Sequence, residues 1–296
     1  MISRFGLIAA ISVMMAAGAA RADVPLRVLS VGGAVTETVY ALGAGDTLVG
    51  VDQTSDYPAA TQNLPDVGYV RALSAEGLLS LKADLILAGP DAGPPEILDQ
   101  VAKAGMKVVY LHEGHTPQVA IDRIKTIGDV LGRQAQARVV MQALAEDLAT
   151  VKAEVAKARS QPRVLFLLAT GHGAPMVAGQ GTAADAMIRL AGGVNAVSDV
   201  QGYKPLSPEA AIAAAPDILM MMTQSVEAIG GEAAVLAEPN IVLTKAAKNK
   251  RLVVVDGLYG LGFGPRLAHA VHDLAVAFHP EQTFPVLPSR PWTASP

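Results

Sequence analysis

The sequence predicts an α/β fold of two similar lobes joined by one long α-helix, with a ligand cleft between them. Three observations carry this. Short β-branched runs alternate with helix-length segments, residues 117–159 then lose every β-rich run, and the second half of the chain repeats the first.

RVLSV at 27–31, TLVGVD at 47–52, DLILAG at 84–89 and KVVYL at 107–111 read as strands, and segments such as 34–42 and 74–82 between them have helical length, so the strands are mostly parallel. From Arg133 to Arg159 there is no Gly or Pro, and good helix formers (Ala, Glu, Gln, Lys, Arg) dominate. At 1.5 Å per residue this is about 40 Å of helix, longer than a packed crossover requires and suited to a rigid strut. Then the repeat begins. RVLFLLA at 163–169 echoes RVLSVGG at 27–33, and LAGGVNAVSD at 190–199 echoes LGAGDTLVGVD at 42–52. Leu73-Ser74-x-Glu76 has Asp84 ten residues after its serine, and Leu206-Ser207-x-Glu209 has Asp217 at the same remove. Both copies read as a serine-capped helix, a turn and a strand. A unit this long that occurs only twice is not a solenoid. The expected division is a signal segment over 1–22, an N-terminal lobe over 23–132, the connecting helix over 133–159 and a C-terminal lobe over 160–296, each lobe Rossmann-like. Ligands of such sheets collect beyond the carboxyl ends of the strands and between lobes, so both copies of the repeated loop should face the cleft or its rim.

Composition excludes several classes. Arg4, the apolar stretch Gly6–Ala20 and Ala20-Arg21-Ala22 have the layout of a secretory signal cleaved before Asp23. The apolar stretch is short of the roughly 20 residues that span a bilayer. The chain has no cysteine, so disulfides, thiolate metal sites and a thioether-linked lipid are all absent and the core alone must hold the exported protein together. Loss of Arg4 and Arg21 takes the formal charge from −4 to −6, and no basic run occurs, which argues against nucleic acid as a partner.

Several residues are candidates for chemistry. Gly68-Tyr69-Val70-Arg71 places a phenol and a guanidinium two residues apart in a loop; an ordinary loop tyrosine and a solvated charge are the bland alternative. His172 lies in Thr170-Gly171-His172-Gly173, whose glycines let the backbone approach a ligand. Gly32 and Gly33 end the first strand and open a helix, aiming backbone N–H groups at an anion, although a tight turn explains them equally. Gly262-Phe263-Gly264-Pro265-Arg266 opens the last helix and sends Arg266 toward the cleft. His269-x-x-His272 and His112-x-x-His115 lack an evident third metal ligand. Met220-Met221-Met222 reads as core. Tyr203 stands where the second repeat puts its loop tyrosine. Glu76 and Glu209 occupy the third position of serine-capped helices, counting from the serine, and helix capping is the bland explanation for them.

Together RVLSVGGAVTETVYALGAGDTLVGVD, LPDVGYVRALSAEGLLSLKADLIL, TGHGAPMVAG and GYKPLSPEAAIAAAPDIL resemble the periplasmic haem-binding proteins of bacterial haem ABC importers, in the helical-backbone (class III) solute-binding superfamily. The resemblance spans essentially the whole mature chain. It implies a periplasmic, monomeric carrier, not an enzyme, that receives ferric haem b from an outer-membrane receptor and delivers it to an inner-membrane permease and its ATPase. Tyr69 is then an axial iron ligand, a hard phenolate suited to ferric iron. Arg71 either favours the ionised phenol or pairs with a haem propionate. His172 becomes a second axial ligand or the ligand of a second stacked haem. Gly32 and Gly33 become propionate partners, Arg266 a propionate or phenolate partner, Tyr203 contacts the porphyrin edge, and Glu76 and Glu209 face permease arginines. An iron-siderophore or cobalamin carrier is the alternative within binding proteins. A secreted metal-dependent hydrolase is the rival class, and no HExxH, GxSxG or carboxylate-rich histidine cluster supports it.

Overall fold

The computed structural model describes residues 26–168 and 175–293. The expected signal segment and His172 lie outside these residues. The chain forms two lobes, each around its own sheet. The first lobe contains β1 (Val28–Val31), α1 (Gly33–Ala41), β2 (Leu48–Val51), α2 (Ala75–Ser80), β3 (Leu85–Ala88), α3 (Pro95–Lys103), β4 (Lys107–Tyr110) and α4 (Pro117–Val130). Its strands are all parallel in the order β2-β1-β3-β4. Such a sheet must be covered on both faces, and its side chains divide accordingly. Leu29, Val31, Ile86 and Ala88 enter one apolar cluster with Val67, Val70 and Leu73, while Val28, Leu85 and Leu87 enter the other.

A long helix, α5 (Gln134–Val155), follows. It is 22 residues long, so it is shorter than its Gly- and Pro-free stretch. Its last turn tightens at Val155 into Lys157 N–H to Glu154 and Ala158 N–H to Val155 bonds, which end the α-helical ladder. Nor is it a free strut: it lies against α4 and against α12 (Leu267–Phe278), the last helix of the chain.

The second lobe contains β5 (Arg163–Leu168), β6 (Met176–Ala178), α6 (Ala183–Leu190), β7 (Val194–Asn195), β8 (Tyr203–Pro205), α7 (Pro208–Ala214), β9 (Ile218–Met222), α8 (Thr223–Ile229), α9 (Glu232–Ala237), α10 (Lys245–Lys248), β10 (Leu252–Val255) and α11 (Gly257–Leu261), before α12. Its parallel strands run β7-β5-β9-β10, the topology of the first lobe over again. The difference lies on one edge of β5. Arg163 and Val164 pair with β7, whereas Leu167 and Leu168 pair with β6, which runs antiparallel and is itself extended by antiparallel β8. Met220 and Met221 alternate between two apolar clusters, as core residues of a buried strand do.

The repeat holds to single hydrogen bonds. Asp84 Oδ2 accepts the Arg27 backbone N–H at 2.9 Å, and Asp217 Oδ2 accepts that of Arg163 at 3.0 Å. Two residues before each aspartate the chain turns through a left-handed residue, Lys82 (φ 48°) or Ala215 (φ 45°). Ser74 Oγ and Ser207 Oγ cap α2 and α7 by accepting the N–H groups of Gly77 and Ala210.

After α12, residues 279–293 form a strap back across the molecule. His272 Nε2 donates to the Pro285 carbonyl at 3.1 Å and His269 Nε2 to that of Pro288 at 3.2 Å. The strap continues through an Arg290–Asp147 ion pair on α5 and ends with the Trp292 carbonyl accepting the Tyr57 hydroxyl of the first lobe. The His269/His272 spacing therefore reads the carbonyls of a proline-rich segment, not a metal.

Candidate functional site

The Tyr69 loop is positioned by what surrounds it. Gly68 adopts φ 97°, a backbone conformation that a side chain disfavours, and its carbonyl accepts the Gln53 N–H while Val67 N–H bonds to Val51 of β2. Val67, Val70 and Leu73 point into the core at 9%, 3% and 5% exposure, which leaves Tyr69 and Arg71 on the opposite side at the surface. The following loop is stitched to this one, with Gly93 N–H bonding to Val70 and Leu73 N–H to Gly93. The result brings three side chains together. Arg71 Nη1 donates to the Tyr69 oxygen at 2.8 Å, and Nη2 donates to Asp91 Oδ1 at 2.6 Å. Burial lowers the Arg71 pKa, but its bonds to Asp91 and Tyr69 outweigh that and keep the guanidinium firmly charged.

Across the cleft stands Tyr203, at the start of β8, with its ring partly exposed. Burial raises its phenol pKa, Arg71 lowers it and Asp91 raises it, so the charges of the first lobe act on the second across the gap. His115, in the loop after β4, meets Phe263 of the second lobe with ring centroids 5.5 Å apart. Burial, and then the Arg123 charge, hold its imidazole below the ordinary histidine range. Tyr69, Arg71 and Asp91 of the first lobe thus stand near Tyr203 of the second, and His115 packs on the buried Phe263 where the lobes meet. Among the described residues no group of His, Asp or Glu could hold a bare metal ion. The chemistry offered is a cleft with an exposed phenol beside a fixed cation.

Other expected site residues are placed differently. The Gly32 and Gly33 N–H groups, which the sequence offers to an anion, are taken by Asp52 Oδ1 at 2.6 Å and Thr54 Oγ1 at 3.0 Å. The anion at this helix start is the chain's own aspartate. A Cβ at Gly33 would collide with the Thr54 carbonyl and with Leu258 of the second lobe, so this glycine permits the lobes to meet. Arg266 does not reach into open space. It precedes α12 at 7% exposure, with Nη2 at 3.0 Å from Glu37 Oε2 and its guanidinium 3.5 Å from the centroid of the Tyr57 ring. Sequence inspection has no signal for that pairing, because the partners are 229 positions apart. Asp91 was also missed. Its loop, Gly-Pro-Asp-Ala-Gly-Pro-Pro at 89–95, follows a parallel strand at the carboxyl end, where an acidic loop residue is a functional hint.

Glu76 and Glu209 are exposed in the first turns of α2 and α7, but they follow the capping serines by two residues, and the position that a capping box needs is held by Gly77 and Ala210, so neither glutamate completes one. The Glu209 carboxyl is held below the usual range by its own backbone N–H and by the Ser207 hydroxyl. Three residues after each glutamate comes an exposed aliphatic side chain, Leu79 and Ile212.

Two lobes of one topology, with an aromatic and charged cleft between them, define a solute-binding protein. The chain belongs to the periplasmic binding protein family, whose sequence description matches residues 28–258. Among solved structures, the periplasmic heme-binding protein BhuT, in complex with two hemes, is 42% identical, with a TM-score of 0.82 over 86% of this chain and 98% of that one. The apo periplasmic heme-binding protein RhuT of Roseiflexus sp. RS-1 is 37% identical, with a TM-score of 0.84 over the same shares. A vitamin B12-binding protein of Yersinia pestis is 32% identical over 67% of this chain and 70% of its own.

Proposed function

We propose that the chain is a periplasmic haem carrier that binds ferric haem b between its lobes and hands it to an ABC permease and its ATPase. The observation that carries this is the Tyr69 phenol, exposed on the cleft wall with the Arg71 guanidinium 2.8 Å from its oxygen. A free phenol ionises near pH 10, so an iron-binding phenolate at neutral pH needs a cation beside it as well as the metal. Tyr69 serves as the axial ligand, and Arg71 as its support or as the partner of a haem propionate. His172 serves as an opposing ligand or as the ligand of a second haem, and Tyr203 contacts the porphyrin edge. The heme-binding proteins of similar structure support the ligand class.

Delivery follows from the repeat. Glu76 and Glu209 hold equivalent places on the two lobes, so a permease with a cationic patch on each of two subunits can engage both at once, and the second contact is then effectively intramolecular. Export by the N-terminal segment places the carrier in the periplasm, downstream of an outer-membrane haem receptor.

Haemin titration followed by visible spectroscopy tests the reading. The parent protein should show the charge-transfer band of phenolate-bound ferric haem, and Tyr69→Ala should lose it while keeping its fold. An unchanged spectrum in that variant would remove Tyr69 from the iron. Tight binding of cyanocobalamin in place of haemin would instead favour the vitamin B12 carriers among the relatives.

A further inference from the structure

We propose that Asp91 is a positioning residue for the iron ligand: by holding one end of the Arg71 guanidinium it commits the other end to the Tyr69 oxygen instead of to a carboxylate of the cargo. The inference rests on the haem reading and deepens it, since it decides between two roles open to Arg71. A guanidinium presents its N–H groups in a rigid planar fork, so fixing one corner fixes where the others point. In the cleft the fork is used at two corners, with Nη2 on Asp91 Oδ1 at 2.6 Å and Nη1 on the Tyr69 oxygen at 2.8 Å.

Three further observations bear on this arrangement. Arg71 and Asp91 are 58% and 60% exposed, so the pair does little for the stability of the empty protein. Their loops are tied together by the Gly93–Val70 and Leu73–Gly93 backbone bonds, so holder and held move as one body. Finally, haem brings two propionates, which compete for any free arginine in the cleft. A carboxylate already seated on Nη2 occupies that corner and repels a propionate from it. Asp91 therefore keeps the cation on the phenolate and turns the propionates away from this wall.

The test compares ferric haemin complexes of the parent protein, Arg71→Ala, Asp91→Asn and the double variant. It reads the energy of the phenolate-to-iron band and the Fe(III)/Fe(II) midpoint potential. A hydrogen bond to the phenolate weakens its donation to iron, so its loss should move the band to longer wavelength and lower the potential. Arg71→Ala should show both shifts, and Asp91→Asn a smaller shift of the band to longer wavelength. Because Asp91 acts on the phenolate through Arg71, adding Asp91→Asn to Arg71→Ala should move the band no further. An Asp91→Asn complex whose band matches the parent's, or band shifts of equal size in the presence and absence of Arg71, would overturn the inference while leaving Tyr69 on the iron. A parent complex without the phenolate band would overturn the haem reading and this inference together.

Discussion

Glu37 and Arg266 join the two halves of the molecule in a buried, doubly bonded pair. The Glu37 carboxylate accepts the Arg266 backbone N–H at 3.1 Å through one oxygen and Nη2 at 3.0 Å through the other. Both side chains are almost wholly shielded from water, and Tyr57 and Tyr259 flank the guanidinium. Removing one partner of such a pair leaves an uncompensated buried charge. Glu37→Met should therefore cost about 3 kcal/mol or more in urea unfolding, whereas Glu37→Met with Arg266→Met should recover much of the loss. The phenolate band of the haemin complex should not move in either variant. A lost band would place Arg266 at the iron site.

The strap carries a pH dependence. Burial is the largest influence on His269 and lowers its pKa from the ordinary 6.5. Below pH 6.5 the unfolded chain takes up a proton that the folded protein still refuses, so this residue's contribution to stability falls as pH drops toward the folded value. His269→Gln keeps a donor for the Pro288 carbonyl without titrating. Denaturation midpoints measured from pH 8 to pH 5 should fall more steeply in the parent than in the variant below about pH 6.5. Parallel curves would mean that His269 titrates alike in both states.

Docking and binding should separate. Glu76→Lys with Glu209→Lys changes only exposed side chains, so stability and haemin affinity should stay near the parent values. Like charges across the docking surface repel and slow association. The double variant should fail to stimulate ATP hydrolysis by its transporter in proteoliposomes. Normal stimulation would leave both glutamates as first-turn surface carboxylates and nothing more.

His172→Ala addresses the second wall of the cleft. If the histidine binds iron, the variant should show a partial spectral change or a lower haem stoichiometry on titration. A parent-like endpoint and spectrum would make it a loop residue only.

The sequence makes the repeat legible because its signals are local: a serine cap, a turn and an aspartate at fixed spacing, which the Arg27–Asp84 and Arg163–Asp217 bonds turn into structure. The Tyr69–Arg71 pair is legible for the same reason, being two residues apart. What stays hidden depends on distant partners. The β6 and β8 strands are three residues each, too short for a period to show, and they exist by pairing with β5 and with each other. Gly32 and Gly33 read as an anion site until Asp52, from a different strand end, fills it. Arg266 reads as a cleft residue because its buried counter-charge sits far away in sequence, on α1.

The lobes are tied by a continuous helix, a strap and a buried ion pair, which resist wide opening better than two or three loose strands do. A carrier already in its binding shape gives up no affinity to a conformational pre-equilibrium, because nearly every molecule is competent at the moment of encounter. The same rigidity closes the exit. In the proposed haem complex, escape would wait on rupture of the iron–phenolate bond, and the work of prising the walls apart would fall to whatever grips the two rims. Capture then proceeds unaided and unloading does not, so the direction of traffic is set by where a two-handed partner is found.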